Sequence, residues 1–63
     1  MELYVARDED GELYLYDRKP KRYLMTFNIE HGFVIPLMNE FLPEITWENS
    51  PQQVILKPRQ KPK

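Results

Sequence analysis

The chain has 63 residues, of which 41% are hydrophobic and 30% charged, with no cysteine and a formal net charge of −1. That size permits one domain with one small core, and the overall composition is that of a globular protein and not of a wholly disordered or a membrane-spanning chain. Without cysteine there is no disulfide and no thiolate chemistry, and after Met1 there is no basic n-region or long apolar run, so a soluble, cytoplasmic protein is expected.

Charge is segregated along the chain. Glu2, Asp8, Glu9, Asp10 and Glu12 oppose Arg7 in residues 1–16, whereas Arg18, Lys19, Lys21 and Arg22 outweigh Asp17 in residues 17–22. Only Glu30, Glu40, Glu44 and Glu48 are charged in residues 23–56, and the end of the chain is purely basic, with Lys57, Arg59, Lys61 and Lys63. Every basic residue except Arg7 therefore belongs to one loop or to the C-terminus.

The first predicted element is a strand over Glu2 to Arg7, where Leu3 and Val5 alternate with Tyr4 and Ala6. Asp8, Glu9, Asp10 and Gly11 follow as a hairpin turn, the Asp-Gly pair supplying the positive φ such turns need. Strand two, Glu12 to Tyr16, repeats the pattern, so Leu3, Val5, Leu13 and Leu15 share an inner face and Tyr4, Tyr14 and Tyr16 the outer one. Asp17 to Arg22, interrupted by Pro20, is a loop or an edge. Tyr23 to Ile29 reads as a third strand, and Glu30, His31 and Gly32 as the turn of a second hairpin leading into Phe33 to Pro36.

Apolar residues at Leu37, Met38, Phe41 and Leu42 have helical spacing, and Pro36 and Pro43 leave room for little more than one turn. Ile45 to Trp47 can be extended; Asn49, Ser50 and Pro51 have turn chemistry, with Asn49 or Ser50 bonding nearby backbone. Gln53 to Lys57 forms a last strand. The expected fold class is mainly β (β-rich α+β): an antiparallel sheet of four or five strands from two hairpins, with one short helical turn. One domain covers residues 1–57 and a basic, disordered tail residues 58–63. The expected core is Leu3, Val5, Leu13, Leu15, Met25, Phe27, Phe33, Ile35, Phe41, Trp47, Val54 and Leu56.

No motif for catalysis is present. The acidic turn has the oxygen ligands that hard cations favour, but an EF-hand loop needs about 12 residues, a closing Glu and flanking helices, so a solvated turn is the expectation. His31 and Ser50 are the only histidine and serine, and nothing orients either as a nucleophile or base. Two glycines, Gly11 and Gly32, make no phosphate loop. A non-enzymatic protein with no cofactor and no metal follows.

Taken together, Ala6-Arg7-Asp8, Gly11-Glu12-Leu13-Tyr14-Leu15-Tyr16, Lys19-Pro20, Arg22, Leu42-Pro43-Glu44 and Thr46-Trp47-Glu48-Asn49-Ser50-Pro51 resemble a family of small uncharacterised proteins of gut anaerobic bacteria and of phage or prophage-like regions. The resemblance implies a mobile-element setting and no activity. Relatives continue with acidic residues after the Ser-Pro, whereas this chain has Gln52, Gln53 and a basic end.

Two functions are expected from these residues. One is a protein-interaction or accessory module that meets its partner, or a second copy of itself, through the aromatic face of Tyr4, Tyr14 and Tyr16. The alternative is nucleic-acid binding, with Arg18, Lys19, Lys21, Arg22, Lys57, Arg59, Lys61 and Lys63 on phosphates and Tyr14, Tyr16 or Tyr23 stacked on bases.

Overall fold

Strands form where the alternation is regular. The computed structural model describes residues 2–55, and all their regular structure is β. The elements are β1 (Glu2–Arg7), β2 (Leu13–Tyr16), β3 (Lys21–Tyr23), β4 (Thr26–Asn28), β5 (Val34–Leu37) and β6 (Gln52–Ile55). The main sheet has the order β5-β2-β1-β6 with every pair antiparallel, and β3 and β4 form a separate two-stranded ribbon. The expectations for Leu56 and for the tail lie outside the described residues.

Register decides which side chains share a face, because directly opposed residues project the same way. Val5 faces Leu15, Leu3 faces Val54, and Leu13 and Leu15 face Leu37 and Ile35. Tyr4 faces Tyr16 and Ala6 faces Tyr14 on the other side. The β1–β2 turn closes as its sequence requires: the Asp8 amide donates to the Glu12 carbonyl (2.8 Å), the Gly11 amide to the Asp8 carbonyl (2.9 Å), and Gly11 has φ +96°.

Both faces are covered. On the leucine face, Val5 and Leu13 are buried against Ile45, with Leu15, Leu37, Leu42 and Val54 around them. On the tyrosine face, Ala6, Tyr16 and Phe27 are buried and flanked by Tyr4, Tyr14, Ile29 and Trp47. The β3–β4 ribbon supplies Phe27, and its tip is fixed by the Glu9 amide donating to the Met25 carbonyl (3.2 Å) and the Thr26 hydroxyl to Asp8 Oδ2 (3.0 Å). Full burial of one such large side chain is worth about 2 kcal/mol, so the tyrosine side is a second core.

The expected helical turn between Pro36 and Pro43 is overturned: no helix occurs among the described residues, and the fold is entirely β, with six strands instead of four or five. The cause is Arg7. Its Nε donates to the Ile45 carbonyl, Nη1 to Gly11 and Asn39, and Nη2 to Phe41 and Leu42, at 2.5–3.1 Å. A guanidinium has five N–H donors, and all five are taken. Carbonyls converging on one cation cannot point along a helix axis, so residues 38–45 wrap the leucine face as turns, with Leu42 at φ +51°.

The expected second hairpin is also corrected. Residues 23–29 are not one strand: a two-residue turn at Leu24 and Met25 splits them, Leu24 has φ +56°, and β5 pairs with β2 instead of β4. A leucine where such turns favour glycine gives no sequence signal. Of the expected core, Leu3, Val5, Leu13 and Phe27 are buried and Leu15, Trp47 and Val54 half-buried, whereas Met25, Phe33, Ile35 and Phe41 are exposed. Met25 is displaced by the turn, Phe33 and Ile35 lie at or just before edge strand β5, and Phe41 projects from the wrap. Ala6, Tyr16 and Ile45 are buried instead.

Candidate functional site

Four of the residues singled out for phosphate contact are brought together. Arg18, Lys19, Lys21, Arg22 and Tyr23 line a cleft of about 570 Å³ together with Asn28 to His31, Lys21 and Asn28 being paired neighbours in the ribbon. The lining follows from local sequence. Pro20 is buried and ends the loop, after which β3 places Lys21 and Tyr23 on the ribbon face opposite Arg22 and Phe27.

The Asn28 to His31 part of the lining is followed by Gly32. Its φ of +116° is a conformation side chains avoid, and a Cβ there would overlap the Asp17 carboxylate. Asp17 Oδ1 accepts the Phe33 amide (3.1 Å) and holds Arg18 Nε at 3.4 Å. The glycine thus allows residues 30–33 to close against the Asp17–Arg18 pair, next to the cleft-lining Glu30 and His31.

The cations differ in how far they are committed. Arg22 lies 3.9 Å from the Trp47 ring centroid and 5.2 Å from that of Phe27, and its Nη2 donates to the Trp47 carbonyl. It is part of the packing of the second core. Arg18 holds the one ion pair among the described residues. Lys19 and Lys21 are exposed and meet no carboxylate among the described residues. Glu30 is the acidic lining group, and Tyr23, 62% exposed, is the aromatic one.

Lys57, Arg59, Lys61 and Lys63 lie outside the described residues. Ile55 pairs with Glu2, at the end of the sheet where Tyr4 meets Tyr16, just before the Asp17–Arg18 loop. The acidic turn of residues 8–12 is at the other end of β1, against the Leu24–Met25 tip of the ribbon.

The tyrosines proposed for a protein contact are largely enclosed. Tyr16 is 2% exposed, and burial, then the charges of Asp8 and Tyr14, push its hydroxyl up to about 12. Tyr4 and Tyr14 are half-buried against the second core, and Tyr14 donates to Glu12 Oε1 (3.2 Å). Their face of the sheet is covered by the β3–β4 ribbon and Trp47.

Asp8 is the residue sequence reasoning passed over. Only 9% exposed, it lines a smaller cleft of about 200 Å³ with Tyr14 and Tyr16, and its Oδ1 is buried with no hydrogen-bond partner. Burial holds its carboxyl above the usual carboxylate range, against the Thr26 hydroxyl bond. No group of three or more metal-ligating side chains occurs among the described residues.

The Thr46-Trp47-Glu48-Asn49-Ser50-Pro51 stretch has a structural explanation. Thr46 and Asn49 exchange hydrogen bonds (2.8 and 3.1 Å), and Ser50 Oγ accepts the Arg7 amide (2.9 Å) while donating to the Thr46 carbonyl. These bonds place Trp47 edge-on to Phe27, centroids 5.4 Å apart. No described helix is long and apolar enough to cross a membrane. Comparison with protein families, with curated proteins and with solved structures finds no match.

Proposed function

We propose that this chain is a non-catalytic nucleic-acid-binding module that grips phosphates in the cleft walled by Arg18, Lys19, Lys21 and Arg22. The observation that supports it is the convergence of these cations on one cleft, two of them without a carboxylate partner among the described residues. The acidic turn touches the Leu24–Met25 tip of the same ribbon, whereas Arg18 and Lys19 precede its other end, where Lys21 pairs with Asn28. Net charge of −1 averages over this segregation of sign along the ribbon. An accessory role in a mobile element, the setting implied by the resemblance of the ARD, GELYLY and TWENSP stretches, is compatible with such binding.

The test is a salt titration of the full chain against a labelled mixed-sequence oligonucleotide. Affinity should fall steeply between 50 and 200 mM salt, because each neutralised phosphate of a single strand adds about 0.7 to the log–log slope. Lys19→Gln with Lys21→Gln should flatten that slope by about 1.4. Absence of binding at 50 mM rejects the reading.

A further inference from the structure

We infer that the cleft takes single-stranded nucleic acid, with one base stacked on Tyr23 and the adjoining phosphates on Lys19 and Lys21. This rests on the nucleic-acid reading above and narrows it to one substrate class.

Three observations lead there. First, the cleft is concave and about 570 Å³, a volume in the range that encloses a small ligand and so a nucleotide, whereas a duplex is read by a projecting helix or ribbon entering a groove about 12 Å wide. The ribbon here does not project: Phe27 is buried on the main sheet and the tip is bonded to Asp8 and Glu9. Second, Tyr23 combines 62% exposure with a place on the cleft wall beside Lys21. A ring set next to backbone-neutralising cations is the arrangement single-strand binders use, since every base has a face to stack.

Third, charge along the ribbon changes sign. Lys21 and Asn28 close its basic end, and its Leu24–Met25 tip rests on the acidic turn through the Glu9 amide and Asp8. One strand can follow the cations from Arg18 to Tyr23 and turn away. A duplex laid on the same ribbon would bring its second row of phosphates towards Asp8, Glu9, Asp10 and Glu12, and like-charge contacts of this kind discriminate between partners.

The experiment uses fluorescence anisotropy of the full chain with a labelled 20-mer, presented as a single strand and as its duplex, at 50 mM salt. The single strand should bind at least tenfold tighter. Tyr23→Ser should weaken single-strand binding about tenfold, in line with one lost base stack, and leave the salt slope unchanged; Lys19→Gln with Lys21→Gln should do the reverse, lowering the slope. Circular dichroism melts should show both variants folded, since all three side chains are exposed. Equal affinity for duplex and single strand, or full affinity in Tyr23→Ser, overturns this inference while leaving phosphate binding in place. No binding of either form removes both.

Discussion

The main sheet is closed on its two faces by different means, and each closure contains an arginine. On the leucine face, Arg7 sits beneath residues 38–45 and gives all five donors to backbone carbonyls. On the tyrosine face, Arg22 lies over Trp47 and Phe27 from outside, with Nη2 donating to the Trp47 carbonyl and, at 3.4 Å, to that of Ser50. The first arginine replaces a helix's internal hydrogen bonding; the second seals an aromatic contact. A cation is thus structural or available according to what its donors already hold, and among the described residues Lys19 and Lys21 are the ones left over.

The contrast breaks most visibly on removal of each arginine. Hydrogen bonds to a charged donor are worth about 1.5–3 kcal/mol apiece where water cannot replace them. Several of the Arg7 bonds are partly buried, so Arg7→Ala should cost roughly 3–4 kcal/mol, near the whole stability of a core this small. Arg22→Ala should cost about 1 kcal/mol, the scale of an exposed cation–π contact. Urea unfolding followed by circular dichroism checks both, and similar losses in the two variants would mean that residues 38–45 hold their shape without Arg7.

The two glycines offer a smaller and more selective break. Gly11 and Gly32 both have positive φ, but nothing lies within 4 Å of a Cβ at Gly11, whereas one at Gly32 meets Asp17 and Arg18. Gly11→Ala should therefore show only the conformational cost, about 1 kcal/mol. Gly32→Ala should cost roughly 2 kcal/mol and also weaken oligonucleotide binding, because the cleft wall moves. Equal urea midpoints for the two variants, with unchanged binding, would show that the Gly32 turn does not set the cleft.

The same asymmetry explains what the sequence revealed. Alternation made β1, β2 and their Asp-Gly turn legible, with Leu3, Val5, Leu13 and Leu15 on one side and the tyrosines on the other. The basic loop was legible as a cluster, though its cleft neighbours Asn28 to His31 were not, because the turn at Leu24 and Met25 that folds β4 back beside β3 was not. The helical spacing of Leu37 to Leu42 misled because local periodicity lost to four tertiary bonds from one distant side chain. Arg7 was the only basic residue in an acidic, alternating stretch, which was a usable sign that its charge is spent internally. The Leu24–Met25 turn carried no sign at all, since its bonds to Glu9 and Asp8 are fixed by the fold and its residues are not turn formers.

Those bonds lead to the smallest effect. Asp8 receives the ribbon through Thr26, yet its Oδ1 has no partner. Burial raises its pKa most, the Thr26 hydroxyl lowers it, Asp10 and Glu12 raise it further, and the Phe27 amide lowers it. A carboxyl with a higher pKa folded than unfolded takes up a proton on folding. Its contribution to stability is therefore complete below the ordinary carboxylate range and is lost as pH rises through the elevated folded value. Asp8→Asn keeps an acceptor for Thr26 and has no charge to bury. The variant should be the more stable form at pH 7, by on the order of 1 kcal/mol, and the two urea midpoints should converge towards pH 4. Parallel midpoints across that window would show Asp8 to be as well satisfied when charged as when neutral. The ribbon would then be held on this face by an ordinary charged latch, and the two closures would differ less than their hydrogen bonds indicate.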